Sequence, residues 1–113
     1  MNAKLVKKLK EFLFDKENIE LVGKPATYEQ IKEAENRLGV KFSGDYIEFI
    51  KLFGGAYAGI DIRAFENAKS FGKESVIDFT LHSRTSHPEV QNTYVISDDG
   101  SGNPIMINPG YRS

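Results

Sequence analysis

Apolar residues recur at helical spacing through the first half of the chain and in short runs through the second. Leu5, Val6, Leu9, Phe12 and Leu13 fall within an arc of about 120° on a helix, with Lys4, Lys7, Lys8 and Lys10 outside it. That stripe is no wider than a core-facing helix needs. The pattern therefore predicts an ordinary surface helix with its stripe on the core, in preference to a basic helix lying on a membrane or on an acidic partner.

The next helix is punctuated at both ends. Thr27-Tyr28-Glu29-Gln30 is a capping box, in which the Thr27 hydroxyl accepts from the third helical N–H and Gln30 reaches back. Pro25 discourages helix from running in from upstream. Ile31, Ala34 and Leu38 follow on one face, and Gly39 stands where a left-handed residue ends a helix. Val40 and Phe42 read as extended. A third helix starts at Ser43 or Asp45, either of which can cap it; Tyr46, Phe49, Ile50 and Phe53 form its apolar face, and Gly54-Gly55 stops it.

Beyond Gly55 the period changes. Ile60-Asp61-Ile62-Arg63 alternates as a half-buried strand does, and residues 66–75 read as a polar loop. Ser75–Arg84 fits two templates: Val76, Ile77, Phe79 and Thr80 favour strand by residue type, while Val76/Phe79 and Ile77/Leu81 match helical spacing. Thr93–Ser97 and Pro104–Ile107 flank Asp98-Asp99-Gly100-Ser101-Gly102-Asn103, a β-hairpin signature with turn residues that tolerate positive φ. Helices first and strands later is the order of an α+β domain.

Composition narrows the function. With 113 residues, 40% of them apolar, the chain is expected to form a single domain, 1–113, around one core. There is no cysteine, which excludes disulfides, thiolate zinc sites and thiol nucleophiles. No apolar run has the length of a secretory signal or a membrane span, so the expectation is a soluble cytoplasmic protein. Net charge is −1, which makes no general case for nucleic acid. Residues 1–16 carry five Lys against Glu11 and Asp15, leaving the remainder acidic. An acidic body suits a basic partner, although mild acidity is also the ordinary state of soluble proteins.

Candidate chemistry is thin. On a helix, His82 would lie one turn from Asp78, a spacing that can serve a base and its orienter, but a surface polar pair is the commoner outcome. His82 and His87 lack the carboxylate spacing of a zinc pair. Asp98–Asn103 fails the EF-hand template, because Gly100 and Gly102 take the third and fifth positions, where oxygen ligands belong. A weak cation site at Asp98, Asp99 and Asn103 is the functional reading, and a tight hairpin turn is the plainer one. Tyr57, in a glycine-rich stretch, either anchors a partner or folds back on the core. We expect no enzyme activity, no cofactor and no bound metal.

The order and spacing of these marks resemble the SUKH superfamily. The resemblance runs through Ile31-Lys-Glu-Ala-Glu-Asn-Arg-Leu-Gly39, Val40-Lys-Phe42, Asp45-Tyr-Ile-Glu-Phe-Ile50, Gly54-Gly55 and Val95–Ile105, covering most of residues 27–110. Ser43 stands where the family commonly has Pro, and can cap the same helix. The resemblance implies an α+β fold with N-terminal helices packed on a mainly antiparallel sheet, and a helix over Val76–Arg84. Members usually continue past the equivalent of Gly110 with a strand and a closing helix. A chain lacking that C-terminal helix is expected to expose a sheet edge and to self-associate, as in a homodimer.

The resemblance further implies a protein-binding module. Its bacterial members typically bind and block the toxic domain, often a nuclease, of a polymorphic toxin, and its fungal relatives suggest a regulatory adaptor in cell-wall or stress signalling. On the immunity reading the partner-binding residues are Tyr57, Asp61, Glu66, Asp98, Asp99 and Asn103, the acids complementing a basic nuclease. Neither nucleic acid nor membrane is expected as a direct partner.

Overall fold

The computed structural model describes residues 2–57, 60–69, 73–87, 93–98 and 104–107. Helix α1 spans Ala3–Leu13 and is followed by a 3-10 segment, Lys16–Leu21. Helices α2 (Tyr28–Leu38) and α3 (Gly44–Phe53) come next, then short strands β1 (Ala56–Tyr57) and β2 (Asp61–Ile62). Helix α4 (Val76–Ser86) precedes the hairpin β3 (Tyr94–Asp98) and β4 (Pro104–Ile107). The protein is α+β.

Local signals set the helix ends. Gln30 N–H donates to Thr27 Oγ1 at 3.2 Å and Thr27 N–H to Gln30 Oε1 at 2.9 Å, which completes the capping box. Gly39 closes α2 at φ 68°. Of the two candidate caps for α3, Ser43 takes the role, accepting from Tyr46 N–H at 3.1 Å, and Asp45 lies in the first turn. Ser75 caps α4 by accepting from Asp78 N–H at 3.2 Å, so the doubly readable stretch is helical.

The apolar faces of α2, α3 and α4 meet over β3. Ala34, Ile50, Phe53, Val76 and Tyr94 are all at 0% exposure. A side chain the size of Phe53 contributes about 1.5–3 kcal/mol by leaving water. Val40 and Phe42 are buried as well, although no strand forms there. Phe42 packs on Tyr94 and Tyr46 at ring centroid distances of 4.6 and 5.1 Å. Tyr46 Oη donates to the Arg63 carbonyl, and Ser43 N–H donates to Tyr94 Oη at 2.8 Å, so neither buried hydroxyl lacks a partner.

The strands are shorter than the alternating residues suggest. Of Ile60–Arg63 only Asp61 and Ile62 pair with β1, antiparallel, as Tyr57↔Asp61 and Ala56↔Ile62. Arg63 N–H turns instead to Ile96 O at 2.8 Å, which links this hairpin to β3. In the second hairpin the register shifts between Val95 and Ser97, a bulge at Ile96. Residues 94–97 are all buried, under α4 on one side, where Val95 N–H donates to Thr80 Oγ1 at 2.9 Å. The segment read as a polar loop carries two bridges, Lys24↔Glu66 and Gly55↔Asn67.

These bridges bring three backbone segments together at the end of α3. Gly54, at φ 64° and ψ −148°, lies so close to Lys24 that a Cβ would stand 2.0 Å from the Lys24 carbonyl oxygen. Gly54 thus does more than stop a helix.

The seating of α1 departs from expectation. Leu13 is buried and Val6 and Leu9 are partly covered, but Leu5 and Phe12 stay 46% and 44% exposed. Val6 and Lys10 line a groove with Ile47, Lys51 and Leu52 of α3. The helix therefore docks by one edge of its stripe, and Leu5 and Phe12, on the opposite edge, face solvent. Among the described residues no helix is long and apolar enough to cross a membrane.

Candidate protein-binding surface

The β1–β2 hairpin positions the first two candidates. Alternation along β1 buries Ala56 and turns Tyr57 outward at 37% exposure. The register sets half-buried Asp61 opposite Tyr57, so an aromatic and a carboxylate sit as a cross-strand pair. Glu66 is held through its backbone: its carbonyl accepts from Lys24 N–H at 3.2 Å and from Gly55 N–H at 3.1 Å. Its exposed carboxylate stands 3.8 Å from Lys24 Nζ. At that exposure the ion pair adds little stability.

Glu66 also stands on the rim of a cleft of about 340 Å³, lined by Ile19, Val22, Lys24, Asn67 and Lys69 among others. The Asn67 side chain fixes the turn beneath it: Oδ1 accepts from Ala64 N–H at 2.9 Å and Nδ2 donates to Glu74 O at 2.8 Å. Asp98 ends β3 opposite Pro104, in the other hairpin. Asp99 and Asn103 lie outside the described residues. The structure thus brings Tyr57 and Asp61 together, ties Glu66 to the start of the same hairpin through Gly55, and places Asp98 on a separate hairpin.

Asp78 and His82 each find a different partner. His82 Nδ1 stands 3.4 Å from Glu74 Oε2, while Asp78 lies 3.4 Å from the Ser75 hydroxyl at the start of α4. Both His82 and Asp78 are exposed. Other polar groups, partly or wholly buried, hold the scaffold together. Arg84 donates to Leu38 O at 2.9 Å and Thr93 O at 2.8 Å, joining the end of α2 to the entry of β3, and burial lowers its pKa from the usual guanidinium value. Burial, with the neighbouring Tyr94, holds the Tyr46 hydroxyl well above the ordinary 10.0. Burial also raises Tyr94, against the opposing pull of the Ser43 N–H. Among the described residues no group of three or more His, Cys, Asp and Glu is placed to hold a metal ion.

Sequence reasoning passed over the exposed apolar side chains. Ile19 is 73% exposed, Tyr28 64% and Phe14 57%. A signal existed for Ile19, an isolated apolar residue in the polar run Lys16–Glu20.

Helices α2, α3 and α4 packed with short antiparallel hairpins, one of them carrying an outward aromatic–carboxylate pair, make up the described α+β scaffold. The family model described as SMI1-KNR4 cell-wall, SUKH_5, matches residues 2–111, and the chain belongs to that family within the SUKH superfamily. No curated protein and no solved structure matches the chain.

Proposed function

We propose that this chain is a cytoplasmic immunity protein, a single domain over residues 1–113. It binds the toxic domain of a bacterial polymorphic toxin, a nuclease in the first instance, and blocks it by occlusion without chemistry of its own. The observation that carries this reading is family membership along nearly the whole chain. The geometry supports it with Tyr57 as a partly exposed aromatic, Asp61 across from it and Glu66 beside the same hairpin; Asp98, the last residue of β3, and Asp99 and Asn103, outside the described residues, join the proposed set on the sequence alone. Carboxylates in these places complement a basic nuclease and act more on association rate and register than on raw affinity.

The test is a pull-down of the tagged protein from its native lysate, followed by co-expression with the captured partner. A stoichiometric partner ending in a nuclease-like domain is the expected result. Reversing charge at Asp61 and Glu66, and separately at Asp98 and Asp99, should weaken protection without unfolding the protein. Unchanged protection removes the reversed pair from the interface. A second reading, a regulatory adaptor in cell-wall signalling, is favoured by the family description itself, which names the cell wall. Capture of kinases or wall-synthesis proteins, with a wall phenotype on deletion in the absence of any toxin, would decide for it.

A further inference from the structure

The uncovered edge of α1 has a chemistry of its own. Lys4, Leu5, Lys8 and Phe12 occupy a contiguous arc of about 100° on the helix, and all four are exposed. Leu5 and Phe12 keep 46% and 44% of their surface in water. The helix carries Lys4, Lys7, Lys8 and Lys10 against Glu11 as its single acid. A lysine-rich polar face beside Leu and Phe is the pattern of a helix that lies in a bilayer interface, with apolar side chains entering the acyl boundary and lysine stems snorkelling to the headgroups.

We propose that α1 docks reversibly on an anionic bilayer surface through Lys4, Leu5, Lys8 and Phe12. Charge complementarity selects this occupant. A second copy of the chain docked through the same face would set these lysines against each other. A folded acidic protein would need a pocket shaped to the protruding Leu5 and Phe12, which a fluid interface does not. The expectation of no membrane contact rested on a stripe covered by the core, and the structure leaves two of its five residues, Leu5 and Phe12, exposed. Two half-exposed side chains are a smaller apolar load than one acyl chain, so the contact is weak and depends on the lysines. The inference is independent of the toxin-binding reading, because Tyr57, Asp61 and Glu66 belong to other elements.

The experiment is co-sedimentation of the full chain with vesicles of phosphatidylcholine alone, or of equal parts phosphatidylcholine and phosphatidylglycerol, at about 1 mM accessible lipid. The chain should pellet with the anionic vesicles alone and be released at about 0.5 M salt. Lys4→Ala with Lys8→Ala should lower partitioning about thirtyfold, near fivefold per lysine. Leu5→Ser with Phe12→Ser should abolish it. Circular dichroism checks that each variant is folded, and because all four positions are exposed the fold should survive. Three outcomes would overturn the proposal: no pelleting with anionic vesicles, pelleting unchanged in both double variants, or concentration-dependent self-association that Phe12→Ser removes while vesicle binding stays absent. Failure to pellet combined with lysine-dependent capture of an acidic protein would likewise overturn it.

Discussion

Gly54→Ala tests the crossing that holds the β1–β2 hairpin against the helices. Two costs combine. At φ 64° and ψ −148° an alanine occupies a backbone region that only glycine adopts readily, at about 1–3 kcal/mol. Its Cβ would also stand 2.0 Å from the Lys24 carbonyl oxygen, where ordinary contact begins at 3.4 Å. The Lys24 segment cannot withdraw freely, because Lys24 N–H bonds to Glu66 O at 3.2 Å and Ala26 N–H to Ile50 O at 2.8 Å. Giving way sacrifices those bonds at about 1 kcal/mol each, so the total is about 3–5 kcal/mol. Gly39→Ala is the internal control, since Gly39 has nearly the same φ of 68° and nothing within 4 Å of its added Cβ. It should cost only about 1–2 kcal/mol. In urea denaturation followed by circular dichroism, with a slope of about 2 kcal/mol/M, the midpoint should fall about 1.5–2.5 M for Gly54→Ala and about 0.5–1 M for Gly39→Ala. Equal losses in the two variants would refute the argument, for they would mean that the crossing relaxes at no cost.

Two further outcomes concern the buried polar groups. Thr80→Val keeps the side-chain shape but removes the Oγ1 that accepts from Val95 N–H at 2.9 Å, and should cost about 1–3 kcal/mol. Thr80→Ser keeps that acceptor and loses one methyl, so it should cost about 0.8 kcal/mol in the same denaturation assay; a serine variant worse than the valine one would contradict this role. The second outcome is alkaline sensitivity. Tyr46 and Tyr94 have folded pKa values above the unfolded 10.0, so the native state holds their protons more tightly. The stability they contribute is complete below about pH 10 and is lost as pH rises beyond it. Tyrosinate absorbance should show two of the five tyrosines titrating only as the chain unfolds, and the Tyr46→Phe variant should lose stability less steeply above that pH. A native protein in which all five titrate together near pH 10 would contradict the burial of these hydroxyls.

Placement of the candidate surface was partly legible. Tyr57 in a glycine-rich stretch left outward and inward placements both open, and its pairing with Asp61 depends on a register that closes a two-residue ladder. Nothing local to Glu66 announces a cleft. Its position follows from a bridge to Lys24, a residue forty-two places earlier in the chain. The Asp78/His82 pair was the opposite case, a spacing that local pattern allowed and the fold did not use. Helical spacing permitted it, yet Asp78 sits in the capping turn with Ser75, and His82 reaches Glu74 just before the helix.

The sequence by itself determined the features governed by neighbours a few residues apart. The Thr27–Gln30 capping box, the Gly39 stop and the apolar faces of α2 and α3 each follow from hydrogen bonds or spacings within a turn or two. So does the hairpin of residues 94–107, where two apolar runs flank a turn-rich stretch. Tertiary structure alone decided which edge of the α1 stripe meets α3, and hence that Leu5 and Phe12 face water. It also decided that Arg63 bonds to β3 in place of β1, and that Gly54 is a point of close approach as well as a helix end. The physical reason is common to all three. Capping and periodicity are short-range and leave their mark in adjacent residues, whereas docking edges, ladder partners and steric gaps depend on which distant segment arrives, and no local pattern encodes that arrival.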